Sequence, residues 1–213
     1  MLIEEIKEER DAKGSADNFV VMYHGAVVPG RDVERLIELV SVNCHIRAVI
    51  LGNAENSYRD KLEKIAAEYG ITNRILFHPA VPLNVLWKYV GAVDVGMILA
   101  RATCKNHLYS LPNKLFENIQ AGTPVICPAY PAFKQIVEKY ENGLMCDPED
   151  MDEMNRCVEK LRNDKELYTR IKENTMRARE ELNWEKERIG LHAAYHDIFA
   201  RQNNNEFTER DTN

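Results

Sequence analysis

Short apolar runs of strand length alternate with helical patterns along almost the whole of this 213-residue sequence. A short apolar run bounded by turn residues predicts a buried strand, whereas apolar residues spaced three and four apart predict one face of a helix. These patterns predict six strands, over residues 18–23, 46–51, 74–77, 94–99, 123–127 and 143–146. They predict helices between the strands, over residues 32–42, 55–69, 83–90, 112–121 and 132–140.

The predicted strands are apolar on both faces, which is typical of a parallel sheet covered by helices on both sides. We therefore predict an α/β fold: a Rossmann-like, doubly wound, mostly parallel six-stranded sheet with helices on both faces. A helical C-terminal extension follows over residues 149–201, interrupted near Asn163 and Asn183. The predicted domain spans residues 18–201, with a linker or leading helix over 1–17 and a polar, disordered tail over 202–213.

Charge and cysteine content exclude several classes of function. The chain carries 34 acidic and 28 basic residues, a net charge of −6, and shows no basic stripe interleaved with aromatic residues. We therefore expect no nucleic-acid partner and no basic membrane-surface helix. Five cysteines without a Cys-x-x-Cys pair are typical of reduced core residues in a cytoplasmic protein, so we expect neither disulfides nor a zinc site.

In an open parallel sheet, ligands bind outside the carboxyl ends of the strands, where the strand order reverses. The loops after the strands, over residues 24–31, 52–56, 78–82 and 100–112, are therefore the candidate ligand-binding segments. The first loop reads HGAVVPGRD and lacks Gly-x-Gly-x-x-Gly, so NAD or FAD binding is not predicted. His24 and His78 end their strands beside these loops, although a lone histidine in such a place is more often structural.

Residues 110–124, SLPNKLFENIQAGTP, are the most informative segment. Ser110 is a candidate N-cap of the helix, as Asp32 is for the helix over 32–42, and Pro112 suits a first helical turn. Lys114 lies near that turn, where the helix dipole makes a cation unfavourable by roughly 0.3–1 kcal/mol. A bound phosphate would reverse this effect. From the residues alone, Lys114 and Glu117 fit a phosphate-linked site and a solvated surface pair equally well.

With these segments in view, the sequence resembles the C-terminal domain of group 1 (family 4-type) retaining glycosyltransferases with the GT-B, twin-Rossmann fold. The resemblance covers residues 19–185 and is most specific at PNKLFENIQAGTPVI. Weaker segments follow in the family's order: DVERLIELV, AVILGNAENSYRDKLEKIAAEYG, ITNRILFHPAVPLNVLWKYVGAVDVGMIL, ENGLMCDPEDMDEM and the Asn-Trp-Glu at 183–185. In that family this domain binds the sugar nucleotide.

The resemblance implies roles for individual residues. Glu117 matches a glutamate that accepts hydrogen bonds from the nucleotide ribose, and Arg31 falls where a lysine faces the diphosphate. Lys114 matches the lysine of a sub-group that reads Pro-x-Lys-x-x-x-Glu or close to it. The donor site would also include Gly25 in the first loop and His78 at the loop facing the base. The backbone amides of Leu111, Pro112 and Asn113 would face the phosphates, although Pro112 itself has no N–H.

The implied substrate is a nucleoside-diphosphate sugar, transferred in glycan or polysaccharide biosynthesis by a hexosyltransferase-type reaction. Arg31 and Lys114 would be the catalytic cations, stabilising the leaving diphosphate. No cofactor is expected. No metal is expected either, because the two cations would do its work.

The sequence departs from the family pattern at two positions. The family's first glutamate would fall at Tyr109, and the arginine after the first glycine would fall at Ala26. A tyrosine cannot replace a carboxylate, so donor identity and stereochemical course are left open. These departures favour the main alternative, a degenerate Rossmann module that binds a partner. A second alternative is another enzyme on the same scaffold, such as a sugar-nucleotide epimerase.

In the family, the acceptor site comes from an N-terminal Rossmann half, for which this sequence has no counterpart. We therefore expect the chain to be incomplete as an enzyme, with that half as a further domain or a partner subunit. Any membrane association would be peripheral and would run through the missing half. Ile189, Leu191, Tyr195 and Phe199 would either contact that half or pack into the core, and core packing is the more common arrangement.

Overall fold

The computed structural model describes Glu4 and residues 19–99 and 101–210. The predicted linker or leading helix over 1–17 lies outside these residues, apart from Glu4, which is helical. Six strands form one sheet in the order β3-β2-β1-β4-β5-β6, and every pairing is parallel. The strands are β1 Phe19–His24, β2 Ile46–Leu51, β3 Ile75–His78, β4 Val95–Met97, β5 Val125–Pro128 and β6 Gly143–Cys146.

The helices occupy the connections between strands and the C-terminal part of the chain. Within the described residues they are α1 Val33–Val42, α2 Asn56–Glu68, α3 Leu83–Val90, α4 Lys105–Tyr109, α5 Asn113–Ala121, α6 Pro131–Tyr140, α7 Met151–Asn163, α8 Lys165–Glu181 and α9 Trp184–Arg210, with a 3-10 turn at Thr72–Arg74. The predicted fold class, a doubly wound six-stranded sheet, is confirmed. The predicted helical extension breaks at Asp164 and near Asn183, close to the two predicted interruptions.

Alternating residues of β1 explain why both faces of the sheet are covered. Val21 and Tyr23 face a core shared with α1, α2, α7 and α8, whereas Val20 and Met22 face the opposite core, against α3. A third cluster, beneath α5 and α6, is centred on Leu115 and Phe133. All these side chains are almost completely buried, so both surfaces of the sheet contribute apolar burial to stability.

Three local predictions differ from the structure. Ser110 does not cap α5: the N-cap is Pro112, which has no side chain able to cap. Asp32 precedes α1 with a left-handed backbone (φ 54°), and its carboxylate accepts hydrogen bonds from Arg101 instead of from the helix. The loop predicted over 100–112 contains the short helix α4.

The C-terminal helix α9 extends further than the sequence indicates. Its backbone is helical to Arg210, within the stretch over 202–213 for which a disordered tail is predicted. Ile189, Leu191, Tyr195 and Phe199 are all exposed, together with Trp184 and Ile198, so this chain does not bury them in its core.

A close approach between β4 and α5 sets the position of α5 on the sheet. Gly96 of β4 lies against the buried side chain of Asn118, and a Cβ added at Gly96 would come within 2.0 Å of Asn118 Oδ1. The amide of Asn118 in turn donates to the Lys114 carbonyl at 2.7 Å. Gly96 therefore allows the first turns of α5 to rest directly on the sheet.

We expect Gly96→Ala to lower the free energy of unfolding by about 1–3 kcal/mol, because the new methyl group must displace the buried Asn118 amide. Chemical denaturation measures the change. Gly190→Ala is the matched control, since a Cβ at Gly190 in α9 meets no atom within 4 Å. An equal or smaller loss in Gly96→Ala than in Gly190→Ala would contradict the close packing of α5 on β4.

Candidate functional site

The candidate site is a cleft at the carboxyl end of the sheet, beside the point where the strand order reverses between β1 and β4. Ligands bind at this position in doubly wound sheets. The cleft has a volume of about 340 Å³. It is lined by His24, Gly25, Ala26, Leu51, Gly52, Asn53, Ala80, Val81, Leu83, Leu86 and Glu117.

Lys114, in the first turn of α5, is held at the end of β1. Its Nζ donates to the hydroxyl of Tyr23 at 3.0 Å and lies 4.1 Å from the centre of that ring. The Tyr23 hydroxyl donates in turn to the carbonyl of Ala26 at 2.7 Å. The cation–π contact and the two hydrogen bonds therefore fix the position of the ammonium group.

The electrostatic setting of Lys114 is unfavourable for its charge. Burial, together with repulsion from Arg31, lowers the pKa of Lys114 from 10.5 to about 8, although Glu117 opposes the shift. Burial also raises the pKa of Tyr23 to about 12, so this hydroxyl keeps its proton at neutral pH. Arg31 is near enough to repel the Lys114 ammonium group, and neither cation forms a salt bridge with a carboxylate of the described residues.

Gly25 provides the space that Lys114 needs. Its backbone has a φ of +114°, and an added Cβ would lie 2.7 Å from Cε of Lys114. Both the conformation and the close approach favour glycine at this position. Gly25 also lines the cleft.

Glu117 lies one turn after Lys114 and reaches the cleft. Its Oε2 is 2.9 Å from Nε2 of His24, the last residue of β1. The Glu117 side chain is 28% exposed, whereas the His24 side chain is 2% exposed. The carboxylate is therefore anchored on its sheet side and accessible on its cleft side.

The remaining predicted residues occupy different places. Asn113 begins α5 and is exposed, and Arg31 is exposed in the turn after β1. Leu111 is half-buried, packed against the core beneath α5 and α6. The His78 ring points to a separate cavity of about 170 Å³ and bonds the Pro79 carbonyl at 2.7 Å. Its side chain does not line the cleft that contains Glu117.

Two further contacts at the site were not predicted from the sequence. Asn53 accepts a hydrogen bond from the amide of Ala80 at 3.0 Å, which joins the loops after β2 and β3. Asp32 forms an ion pair with Arg101 at 2.5 Å, which joins the turn of Arg31 to the segment before α4. The polar residues of these loops were visible in the sequence, but no local spacing pairs them.

The described residues present no group of three or more His, Cys, Asp or Glu side chains able to hold a metal ion. Across the same part of the chain, no helix combines the length and apolar composition that a membrane span requires.

The family model of glycosyl transferases group 1 matches residues 5–178. The chain belongs to this family. The match covers the first loop, the cleft and α5, so the site described above lies within the residues that the family model matches. The fold is that of the C-terminal domain of GT-B glycosyltransferases, as the sequence resemblance implied.

Among curated relatives of this group 1 domain, the lipopolysaccharide core biosynthesis glycosyltransferase LpsE of Rhizobium meliloti is 30% identical over 185 residues. The alignment covers 87% of this chain and 51% of LpsE. The chain thus spans about half the length of this relative.

Solved structures share the fold at lower sequence identity. Anabaena Alr3699/HepE in complex with UDP and glucose superposes with a TM-score of 0.73 and 19% identity, covering 90% of this chain and 52% of that one. The C-terminal domain of a group 1 family glycosyl transferase (LpcC) from Francisella tularensis has a TM-score of 0.63 and 18% identity. That match covers 80% of this chain and 88% of the LpcC domain.

Proposed function

We propose that this group 1 domain binds a nucleoside-diphosphate sugar and supplies the donor half of a glycosyltransferase site. The observation that carries the proposal is the Lys114 ammonium group, which is held against Tyr23 in the first turn of α5 and is repelled by Arg31. Burial and Arg31 lower the pKa of Lys114, so its charge is poorly stabilised in the ligand-free domain. A diphosphate at this position would neutralise both cations and accept from the helix N-terminus.

The cleft beside the two cations suits the rest of the donor. The Glu117 carboxylate can accept hydrogen bonds from vicinal ribose hydroxyls, and the loop of Ala80 and Val81 lines the end of the cleft, where a base would lie. HepE, which has the same fold, was solved with UDP and glucose. This relation supports a donor of the same chemical class for this chain.

The proposed reaction transfers the sugar, in a hexosyltransferase-type step, to an acceptor held by an N-terminal half. The bond between the anomeric carbon and the phosphate oxygen breaks, and its electron pair leaves with the diphosphate. Arg31 and Lys114 would stabilise that charge. The relation to LpsE, a lipopolysaccharide core enzyme, supports a place in glycan biosynthesis.

The same proposal assigns the exposed face of α9 to the N-terminal half, as a further domain or a partner subunit. Six large apolar side chains of this helix are exposed: Trp184, Ile189, Leu191, Tyr195, Ile198 and Phe199. Apolar side chains in such number on one helix favour a protein contact. We propose that any membrane association is peripheral and runs through that half.

Calorimetric titration of the chain with UDP, GDP, ADP and their glucose conjugates tests donor binding. We expect one base to bind selectively, and Arg31→Ala to weaken that binding about tenfold or more, because a guanidinium–phosphate contact is lost. Arg170→Ala, at an exposed position of α8, is the control and should bind as the wild type does. If the folded chain binds none of these nucleotides, donor binding by this chain alone is wrong: either the site needs the N-terminal half, or the chain is the degenerate module that Tyr109 and Ala26 favour.

A further inference from the structure

His24 is the most deeply buried polar side chain of the site, and the mechanism above does not use it. It ends β1 beneath α5, and the residue is 1% exposed. Its Nε2 lies 2.9 Å from Oε2 of Glu117, 93 residues later in the chain. Its Nδ1 is buried and has no hydrogen-bond partner among the described residues.

This geometry determines which ring nitrogen carries the proton. An ionised carboxylate can only accept hydrogen bonds, so the contact requires a proton on Nε2. Nδ1 is then a bare acceptor, which is the state that leaves no buried N–H donor without a partner. Nε2 therefore donates to Glu117.

An unpaired buried acceptor is unfavourable, and an apolar side chain of similar size would avoid that penalty. Among the described residues, the ring's only hydrogen-bond partner is Glu117. Within the described residues, the penalty of the unpaired Nδ1 is therefore offset only by the hydrogen bond that orients the Glu117 carboxylate. This one-sided arrangement points to a role in the site, beyond packing.

We propose that His24 is a positioning residue that orients the Glu117 carboxylate for the two ribose hydroxyls of the donor nucleotide. The inference rests on the proposed function. The Nε2–H of His24 donates to one lone pair of Oε2 and so restricts rotation of the carboxylate. Oε1 is then free to accept a hydrogen bond from a ligand. Pre-orientation of this kind reduces the entropy lost when the hydroxyls bind.

The first experiment tests the pairing without any nucleotide. Nitrogen NMR of the imidazole rings in the full chain should show the His24 ring as the tautomer protonated on Nε2. In Glu117→Ala this His24 signal should shift, because the hydrogen bond is lost, while Glu138→Ala should leave it unchanged. A His24 spectrum that is the same in Glu117→Ala and in the wild type would overturn the proposal.

The second experiment tests the effect on ribose. UDP, GDP and ADP are each titrated beside the 2′,3′-dideoxy counterpart, which lacks both hydroxyls. We expect His24→Phe to weaken binding of the ribonucleotide about tenfold and to leave the dideoxy affinity unchanged. His24→Gln keeps a donor near the position of Nε2 and should restore most of the discrimination.

The outcomes separate this inference from the proposed function. If the wild type discriminates between ribo- and dideoxynucleotides and His24→Phe does so equally well, the positioning role is wrong and donor binding stands. If the wild type binds no nucleotide, donor binding and the ribose role both fail. Unfolding temperatures of the two His24 variants show whether a loss of binding reflects a loss of folding.

Discussion

Glu117→Ala is expected to weaken nucleotide binding at least a hundredfold, while the domain stays folded. An ionised carboxylate that accepts from two hydroxyls contributes two charge-assisted hydrogen bonds, each of about 1.5–3 kcal/mol. Since about 1.4 kcal/mol corresponds to a tenfold change in affinity, losing both bonds removes at least a factor of about 100. Isothermal titration with the nucleotide that the wild type prefers measures the loss.

The same substitution should have a smaller effect on stability. His24 would lose the acceptor for its Nε2–H, and a buried donor without a partner costs about 1–3 kcal/mol. The cleft side of Glu117 is accessible, so water can replace part of the carboxylate. We therefore expect the free energy of unfolding to fall by about 1 kcal/mol, and chemical denaturation measures it.

Glu138→Ala is the matched control, since Glu138 is an exposed helical glutamate of α6. It should leave both affinity and stability almost unchanged. Normal nucleotide affinity in Glu117→Ala, combined with lower stability, would make Glu117 a structural partner of His24 only. Glu117→Gln, which keeps one acceptor oxygen, should give an intermediate affinity.

The sheet could be predicted from the sequence because its signal is local. β2 and β6 are apolar runs bounded by residues that end strands, and their predicted bounds, 46–51 and 143–146, agree with the structure. The position of the cleft followed from the fold class alone, since parallel strands present their carboxyl ends at one edge. Lys114 and Glu117 could be singled out because they share one face of one helix and match the family's motif.

The partners of these two residues could not be predicted, because they come from a distant segment. Lys114 and Tyr23 are 91 residues apart, and Glu117 and His24 are 93 apart. Both contacts arise because β1 ends beneath the first turns of α5. Strand periodicity places Tyr23 and His24 on opposite faces of β1, and no local pattern indicates that both lie near one helix.

The N-cap prediction for Asp32 was wrong for a different reason: a tertiary contact outweighs a valid local rule. Aspartate before an apolar helical pattern is a good N-cap. Here its carboxylate is taken by both the side chain and the backbone amide of Arg101, across 69 residues. The left-handed backbone of Asp32 is then sustained by an ion pair that helix rules do not include.

Lys114→Met is expected to stabilise the domain and to weaken its affinity for diphosphate. Burial and Arg31 lower the pKa of Lys114 from 10.5 to about 8, so the charged form is disfavoured in the folded state. Each pKa unit of this shift corresponds to about 1.4 kcal/mol, so the charged Lys114 destabilises the folded domain by up to about 3 kcal/mol at pH 7. Methionine keeps the length of the side chain without the charge.

The sign and the pH range of this effect follow from proton linkage. Below about pH 8 both folded and unfolded chains hold the proton on Lys114, so the destabilisation is fully present. Between about 8 and 10.5 the unfolded chain holds the proton more often, so wild-type stability rises with pH relative to the variant. The difference between Lys114→Met and the wild type should therefore be about 1–3 kcal/mol at pH 7 and should shrink above pH 8.

Binding should change in the opposite direction. Without the ammonium group, diphosphate loses a charge-assisted contact, and affinity should fall about tenfold or more. Lys134→Met, at an exposed position of α6, controls for the general loss of one positive charge and should alter neither property. A variant that is both less stable and unchanged in affinity would mean that Lys114 serves only to pack against Tyr23. A gain in stability together with a loss of affinity would show that the Lys114 charge destabilises the ligand-free domain and stabilises a bound diphosphate.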